Sequence, residues 1–361
     1  MNSLIKKMFP LMILSLGLLF TVSCVNTQNT EKEFKSVRAQ KDTIGFAQYP
    51  WQMDSLMARI DRKGWDKTSG DPWKMAICPH DDYTYVGKLY PEVLQNVKAP
   101  TVILIGVAHY AAAMGIEDSL VFDTYTHWRG PWKDVPVSPI REELYESLKG
   151  TYAMISDSLQ KVEHSVESMV PYLQYFNRDV SIVSILVPAM SLNRMEESGK
   201  ALAEAIKTVA DKHNWKWGED YAIVVTTDAD HYGNEDWGGF DRAPFGCDDA
   251  GNQKARDLEA EIIENCLKGE VNPENIKRFS EYTLDANDFH QYIWYWCGRY
   301  SVPATLWTTY YLNNAQTLHG EFIGYATSIT CEHIPVDDLG FGRTAIATPC
   351  HWVGYAALGY R

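Results

Sequence analysis

The stretch that decides the fold is Thr101-Val-Ile-Leu-Ile-Gly-Val-Ala-His109, an unbroken apolar run that ends on a histidine. Two other segments have the same form, Lys74-Met-Ala-Ile-Cys-Pro-His80 and Tyr221-Ala-Ile-Val-Val-Thr-Thr-Asp228-Ala-Asp-His231. Continuous apolar runs of this length are typical of strands that are covered on both faces, and such strands usually lie in parallel sheets. Because ligands gather at the carboxyl ends of parallel strands, we expect the polar residues that end these runs to lie together.

Strand and helix patterns alternate along most of the chain. Strands are predicted at four apolar runs, Trp73–Ile77, Thr101–Val107, Val180–Val187 and Ala222–Thr227. Helical patterns are predicted at Pro139–Leu148, Ser165–Phe176, Gln253–Leu267 and Asp285–Trp296. Alternation of this kind favours a single α/β domain, here over residues 46–361, with a central mostly parallel or mixed sheet flanked by helices.

Two local features refine this prediction. Asn193 followed by Glu196 has the spacing of a capping box, which opens a further helix. The segment Gly233–Gly251 contains five glycines and is the longest predicted loop. Because it directly follows His231, we expect it to cover the site as a lid.

The first residues have the features of an export signal. Lys6 and Lys7 precede an apolar core, and small residues lead to Cys24. The segment Thr21-Val-Ser-Cys24 is similar to a bacterial lipobox, so we interpret 1–23 as a signal peptide, Cys24 as the lipidated residue and 24–45 as a polar tether. An exported periplasmic or cell-surface lipoprotein is predicted, which touches the membrane only through its lipid. A simple cleaved signal or an uncleaved anchor are the alternatives.

Composition and charge narrow the classes of partner. The formal net charge is −14, and a surface of that sign repels nucleic acid and anionic headgroups. Of seven cysteines, six remain besides Cys24. Their spacing does not decide between disulfides, free thiols and metal ligands. The chain lacks a phosphate-binding glycine loop with lysine, a G-x-S-x-G nucleophile elbow and an H-E-x-x-H metalloprotease helix.

The histidines also have ordinary structural interpretations. One histidine after a strand is more often a hydrogen-bonded loop residue than a metal ligand. Asp228 has the position of a residue that caps the turn after its strand. Independent strands that each end in a potential ligand favour a metal site, and His80, His109, Asp228 and His231 all meet that description.

Five ordered motifs connect these residues to a known family. They are Cys78-Pro-His80-Asp-Asp-Tyr83, Gly106-Val-Ala-His109-Tyr, Glu163-His164-Ser-Val-Glu167-Ser-Met-Val-Pro171, Thr226-Thr-Asp228-Ala-Asp-His231-Tyr-Gly233 and Cys297-Gly-Arg-Tyr-Ser-Val-Pro303. With them the chain resembles, from about Lys74 to Ser328, the Memo family, which includes AmmeMemoRadiSam system protein B. That family is similar in fold to the LigB-type extradiol dioxygenases.

The resemblance implies roles for individual residues. His80, His109 and Cys297 are the implied metal ligands, with Asp228 and His231 in the same pocket and His231 as the catalytic acid or base that Asp228 steers. Two imidazoles and a thiolate suit one transition metal ion, with copper or iron favoured and zinc as an option. Without the resemblance, Cys297 is most simply a small buried apolar residue.

Several other motif residues are expected to lie next to the implied metal ligands. Glu163 and His164 are predicted to orient a ligand histidine. His164 and Glu167 are also spaced one helical turn apart, which is the spacing of a surface pair. Asp81 and Asp82 replace small residues of the family motif next to His80, and they either narrow the pocket or attract a cation.

We therefore predict a metal-dependent, oxidoreductase-like activity on a small molecule. The first alternative is a non-catalytic module of the same fold that binds a ligand or peptide. In that case Asp81 or Asp82 would block the coordination position beside His231. The second alternative is a zinc-dependent hydrolase, in which a metal-bound water attacks an ester or amide.

Overall fold

The computed structural model describes residues 35–68, 70–235 and 240–361. The predicted signal peptide, Cys24 and the first half of the tether lie outside this range, as does part of the predicted lid. Residues 35–361 form one compact unit. Within the part that is described, no helix is both long and apolar enough to cross a membrane.

Thirteen strands are found in the described residues. They are β1 Val37–Arg38, β2 Met75–Cys78, β3 Thr101–Val107, β4 Leu120–Phe122, β5 His127–Trp128, β6 Val135–Pro136, β7 Ala153–Ile155, β8 Ser181–Val187, β9 Tyr221–Thr226, β10 His231–Gly233, β11 Gly269–Glu270, β12 His319–Thr327 and β13 His351–Tyr360. The four predicted strands correspond to β2, β3, β8 and β9.

Ten α-helices accompany these strands over the same described ranges. They are α1 Pro50–Lys63, α2 Tyr83–Val86, α3 Leu89–Leu94, α4 Ile140–Leu148, α5 Asp157–Val162, α6 Met169–Phe176, α7 Leu192–His213, α8 Asp249–Ile262, α9 Pro273–Thr283 and α10 Ser301–Leu312. A single π-helical turn, Ile263–Leu267, extends α8. The chain is thus of the α/β class.

A large mixed sheet forms the centre of the protein. Its strand order is β11-β12-β13-β2-β9-β3-β8-β4-β7, with β10 paired to β13. The four central strands β2, β9, β3 and β8 run parallel, in the register Cys78 to Thr226 and Val107 to Val187. The C-terminal strands β12 and β13 continue the sheet in antiparallel fashion. Three further strands, β1, β5 and β6, form a small separate sheet.

Both faces of the central strands are buried, as the continuous apolar runs predict. In β3, Ile103 and Ile105 pack in one hydrophobic core, whereas Val102 and Leu104 pack in the other. Helices α4, α7 and α10 pack together on the first side, and α1, α3 and α6 pack on the second. A strand covered on both faces loses its polar alternation, because side chains on each face meet apolar neighbours.

One predicted helix, Asp285–Trp296, is wrong. Asp285 accepts hydrogen bonds from the backbone N–H groups of Asn287 and Asp288, and such local turns compete with helix formation. The aromatic stretch that follows is irregular, with isolated β-bridges from Tyr292 to Leu284 and from Trp296 to Asp230. Trp294 and Trp296 both direct their indole N–H groups to Glu259.

Two helix starts also differ from the prediction. The N-cap of α7 is Ser191, whose hydroxyl accepts a hydrogen bond from the backbone N–H of Arg194 at 3.2 Å, so the proposed capping box at Asn193 is wrong. The helix expected from Ser165 begins only at Met169. Ser165 lies before it because its hydroxyl donates to the carbonyl of Val107 at 2.8 Å, which fixes the preceding loop to the end of β3.

The cysteines fall into two groups. Cys247 and Cys350 form a disulfide that ties the segment before α8 to the start of β13. Among the described residues, Cys78, Cys266, Cys297 and Cys331 are free thiols. A framework of three disulfides is therefore absent from this part of the chain, and Cys297 remains available as a metal ligand.

Candidate metal centre

Parallel strand ends bring the predicted residues together. His80 follows β2, His109 follows β3 and Asp228 follows β9, each two residues beyond the end of its strand. His231 begins β10. Cys297 directly follows the aromatic stretch, and its backbone N–H donates to the carbonyl of Asp228 at 3.2 Å.

Three histidines form one group of potential ligands. The ring centroids of His80 and His109 are 5.3 Å apart, and those of His80 and His164 are 5.7 Å apart. His109 and His164 stack at 4.8 Å with an angle of 10° between their planes. One ligand atom from each of the three lies within 4.8 Å of the other two. The imidazoles of His80 and His109 thus belong to one group of atoms that could hold a metal ion.

A second group shares His80 with the first. Ligand atoms of His80, Asp228 and Cys297 also lie within 4.8 Å of one another. The predicted set of His80, His109 and Cys297 is therefore divided between two overlapping groups. A hydrogen bond between His109 and Cys297 connects them.

Glu163 holds His109 in place. Its carboxylate accepts hydrogen bonds from the backbone N–H of His109 at 2.7 Å and from the ring Nδ1 at 2.9 Å. It also accepts from the backbone N–H groups of His164 and Ser165. Burial lowers the pKa of His109, but the charge of Glu163 and the hydrogen bonds to Cys297 and Glu163 outweigh this and raise it to about 10. This contact fixes the ring through Nδ1, so a metal would bind at Nε2, where it would displace the proton that the raised pKa keeps on the ring.

Asp228 does more than cap a turn. Its carboxylate accepts the backbone N–H of His80 at 2.9 Å and lies 3.4 Å from His80 Nε2. The other ring nitrogen of His80 is 3.3 Å from the hydroxyl of Thr226. Burial raises the pKa of Asp228 to about 7 and lowers that of His80 well below its usual value. A neutral imidazole is the form that binds a metal.

His231 is positioned to exchange a proton. Its Nε2 lies 2.9 Å from Sγ of Cys297. Burial, together with the positive charges of His109, Arg242 and Arg299, lowers the pKa of His231 to about 3. Burial raises the pKa of the Cys297 thiol. At neutral pH the imidazole is therefore neutral.

A cavity of about 430 Å³ opens onto these side chains. Asp81 and Asp82 line its wall without filling it, because each carboxylate is held back by a neighbour. The hydroxyl of Tyr355 donates to Asp81 at 2.6 Å, and the backbone N–H of Thr344 donates to Asp82 at 2.5 Å. Burial raises the pKa of Asp81 to about 7 and that of Asp82 to about 8. Small-molecule sites commonly have volumes of this size.

The helical interpretation of His164 and Glu167 is wrong, because both residues precede α6. Glu167 is not a surface residue either, since only 4% of it is exposed. It forms an ion pair with the buried Arg38 and accepts the backbone N–H of Lys41 at 2.8 Å. Glu167 therefore supports the segment that borders the cavity, while the ring of His164 stands among the potential ligands.

Two arginines near the site were not predicted as site residues from the sequence. Arg242 and Arg299 border a second cavity of about 220 Å³, which also contacts His109, His231 and Cys297. Arg299 stands inside the motif that contains Cys297, so its position in the sequence was a usable signal. Arg242 lies in the predicted lid, which carries no comparable pattern.

The chemistry of the donors fits a transition metal ion. Imidazole suits zinc, copper and iron, and a thiolate favours the softer ions. Both groups of donors lie at the end of the sheet where α/β proteins bind ligands. The arrangement supports one metal ion, without deciding its identity.

Comparison with known proteins agrees with the motifs. The sequence profile of Memo-like proteins matches residues 47–340. The chain belongs to the Memo family. It is 27% identical over 211 residues to a MEMO1 family protein of Pyrobaculum arsenaticum, covering 54% of this chain and 70% of the relative. It is 26% identical over 289 residues to Protein MEMO1 of Xenopus tropicalis, covering 76% of this chain and 86% of the relative.

One further relative and one solved structure are also similar over part of the chain. Among further MEMO1 family relatives, the chain spans as little as 52% of the length of a Pyrobaculum aerophilum protein. A crystal structure of an uncharacterized protein from Escherichia coli K12 aligns with a TM-score of 0.41 and 11% identity, over 78% of this chain and 98% of that one.

Proposed function

We propose that this Memo-family protein binds one transition metal ion, copper or iron, and carries out an oxidoreductase-like reaction on a small molecule. The observation that carries the proposal is that His80 belongs to both groups of ligand atoms. In the proposed set, His80 and His109 supply imidazoles and Cys297 supplies a thiolate. A bound redox-active ion would supply one-electron chemistry.

The protein's own residues account for the rest of the proposed reaction. Glu163 keeps His109 oriented through the contact to Nδ1. His231, neutral at physiological pH, accepts a proton from the substrate and passes it on. The cavity reaches His231, so a substrate has access to both the ion and the base. Asp81 and Asp82 do not block this access. The alternative of a non-catalytic binding module, in which one of them would block the coordination position beside His231, is therefore less favoured.

Oxygen consumption tests the proposed activity. Protein loaded with copper or with iron, and freed of unbound metal, is supplied with ascorbate as the electron donor in an oxygen electrode. We expect consumption above that of the zinc-loaded protein. His231→Ala should retain the metal and lose most of the activity, roughly a hundredfold for a general base. Activity of the parent equal to that of the zinc form would contradict the proposal.

A zinc-dependent hydrolase is the second candidate, and one observation favours it. His80, His109 and His164 form a group of three histidines, and three histidines with an open position are the ligands of some catalytic zinc sites. In that case the metal would depend on His164 and not on Cys297.

Two substitutions separate these donor sets. Cys297→Ser should lower the affinity for copper or iron while His164→Ala lowers it much less, if the thiolate is a ligand. The opposite order would assign the three-histidine set. Competition with a colorimetric chelator measures both affinities. His319→Ala removes an exposed histidine that does not line the cavity and serves as the control.

We also propose that the protein is an exported lipoprotein anchored through Cys24. The supporting features are the lipobox-like segment and a disulfide between Cys247 and Cys350, because disulfides are typical of oxidising compartments. Labelling of expressing bacteria with a palmitate analogue tests this. Label in the parent and none in Cys24→Ala is expected, whereas an unlabelled parent in a lipoprotein-processing host would refute the anchor.

A further inference from the structure

The second cavity, of about 220 Å³, adjoins the first at the metal-binding residues. His109, His231 and Cys297 border both cavities, so they stand where the two meet. The first cavity has acidic walls, since Asp81, Asp82 and Asp228 border it, whereas the second contains Arg242 and Arg299. A molecule in the second cavity therefore meets positive charge beside the reactive residues.

Neither arginine forms an ion pair within the described ranges of the chain, although the charge of the buried Asp230 acts on Arg242 from further away. The Nε atom of each arginine is buried without a hydrogen-bond acceptor. Arg299 donates one hydrogen bond to the carbonyl of Trp296 at 2.7 Å. Guanidinium groups are the donors that best match the fork of a carboxylate. Buried donors without acceptors are uncommon in folded proteins, and ligand binding is one way to satisfy them.

Aromatic rings hold both guanidinium groups in place. Arg299 lies over the ring of Tyr292, 3.5 Å from its centre, and Arg242 lies over Tyr295 at 4.4 Å. Cation–π contact keeps a guanidinium oriented without neutralising its charge. The arginines are thus rigid, charged and still free to accept an anion.

We propose that Arg242 and Arg299 form the subsite for a carboxylate group of the substrate. Apolar side chains, among them Val107, Ala111 and Val187, also line the cavity, so the favoured ligand is a small carboxylic acid with an apolar or aromatic body. The proposal rests on the proposed function because it assigns the substrate class of the same site. Such a molecule is anchored by its carboxylate while its body lies against His109 and His231.

Binding of benzoate and of its uncharged analogue benzamide tests the subsite. Both are titrated by calorimetry into metal-free protein from which the chelator has been dialysed, so the result does not depend on the metal site. We expect benzoate to bind at least about tenfold more tightly than benzamide, which is the effect of one charged hydrogen bond. Arg299→Gln and Arg242→Gln should each remove most of this preference. Equal binding of the two compounds, or a preference that survives the double substitution, would overturn the proposal.

Control variants and a second anion complete the benzoate experiment. Arg178→Gln is the matched control, because Arg178 also stacks on an aromatic ring, 3.6 Å from the centre of Trp132, but lies outside both cavities. It should leave the preference unchanged. Arg299→Lys keeps the charge and should retain part of the preference even if Arg299→Gln folds poorly. Inorganic phosphate is titrated in the same way. If it binds more tightly than benzoate, the subsite recognises a phosphoryl group, and the assignment to a carboxylate is refuted. The metal content of each variant is measured as well. If it equals that of the parent, a lost preference for benzoate reflects the carboxylate subsite and not damage to the proposed metal site.

Discussion

Replacement of Glu163 by glutamine should destabilise the metal-free protein markedly. Glu163 is 1% exposed, and its carboxylate accepts four hydrogen bonds, including one from the backbone N–H of His109 at 2.7 Å. The side-chain amide of glutamine has the same shape as the carboxylate, but an NH₂ group replaces one of the two oxygens that accept these hydrogen bonds. A buried backbone N–H group therefore loses its acceptor. An unsatisfied buried donor costs about 1–3 kcal/mol, and loss of the charge adds to it. Because 28% of the His109 side chain is exposed, water weakens the charge interaction between Glu163 and His109. We therefore expect the free energy of unfolding to fall by roughly 3 kcal/mol in all.

The loss should also depend on pH. The pKa of Glu163 is lowered from its usual 4.5, chiefly by His109 acting against the effect of burial, so its stabilisation is present above pH 4.5 and lost below it. The pKa of His109 is raised from 6.5 to about 10, so its stabilisation is present below pH 6.5 and lost as the pH rises towards 10. The difference between parent and Glu163→Gln should therefore be largest between pH 4.5 and 6.5.

Urea denaturation of both proteins, free of metal, at several pH values measures this difference. Glu143→Gln is the control, since Glu143 also contacts a histidine, His213 at 2.8 Å, but on the surface. Its cost should stay below about 1 kcal/mol. A loss for Glu163→Gln no larger than that of the control, or one that is constant from pH 5 to pH 10, would refute the role of Glu163 as the charged partner of His109.

Three further substitutions test the framework of the site, each by urea or thermal denaturation. Arg38→Met leaves the buried Glu167 without its cation and should cost about 3–5 kcal/mol. Gly106→Ala should cost about 1–3 kcal/mol, because the added methyl group lies 2.5 Å from Val166, and it should also weaken metal binding by shifting the end of β3. Cys247→Ser opens a disulfide that spans 103 residues and should cost about 2–4 kcal/mol, with the same effect produced by a reductant in the parent. Losses under 0.5 kcal/mol, the usual size of surface effects, would contradict each assignment.

The central strands were predictable because burial on both faces leaves a simple mark in the sequence. Thr101–Val107 is apolar after its first residue and forms β3 with the same bounds. The end of each such strand was predictable for the same reason, and this placed His80, His109 and Asp228 near one another. A rule about sheets was sufficient here, because the location depends on chain direction and not on detailed packing.

Other elements depend on distant contacts that the local sequence does not reveal. Strand β13 contains Gly354 and Gly359, and glycine weakens a strand prediction. The reason for Gly359 is the ring of Trp73, which would lie 2.2 Å from any added Cβ. Likewise, the alternation of Trp294 and Trp296 becomes meaningful only when Glu259, more than thirty residues earlier in the sequence, accepts both indole N–H groups.

Within the site, residue types were easier to predict than partners. The motif containing Glu163 and His164 identified residues near the metal site, but not that Glu163 contacts His109 while the ring of His164 stacks on it. Those contacts depend on the loop before α6, which Ser165 and Glu163 fix through hydrogen bonds to the backbone. Arg242 was missed because its position follows from tertiary packing against Tyr295.

Metal stoichiometry tests the central claim most directly. The parent, His80→Ala, His109→Ala and the control His319→Ala are purified without chelators, incubated with copper, iron or zinc, and freed of unbound ions before elemental analysis. We predict close to one ion per chain in the parent and in His319→Ala, and a large loss in both His80→Ala and His109→Ala. Equal metal content in all four proteins would contradict a metal centre built on these two histidines.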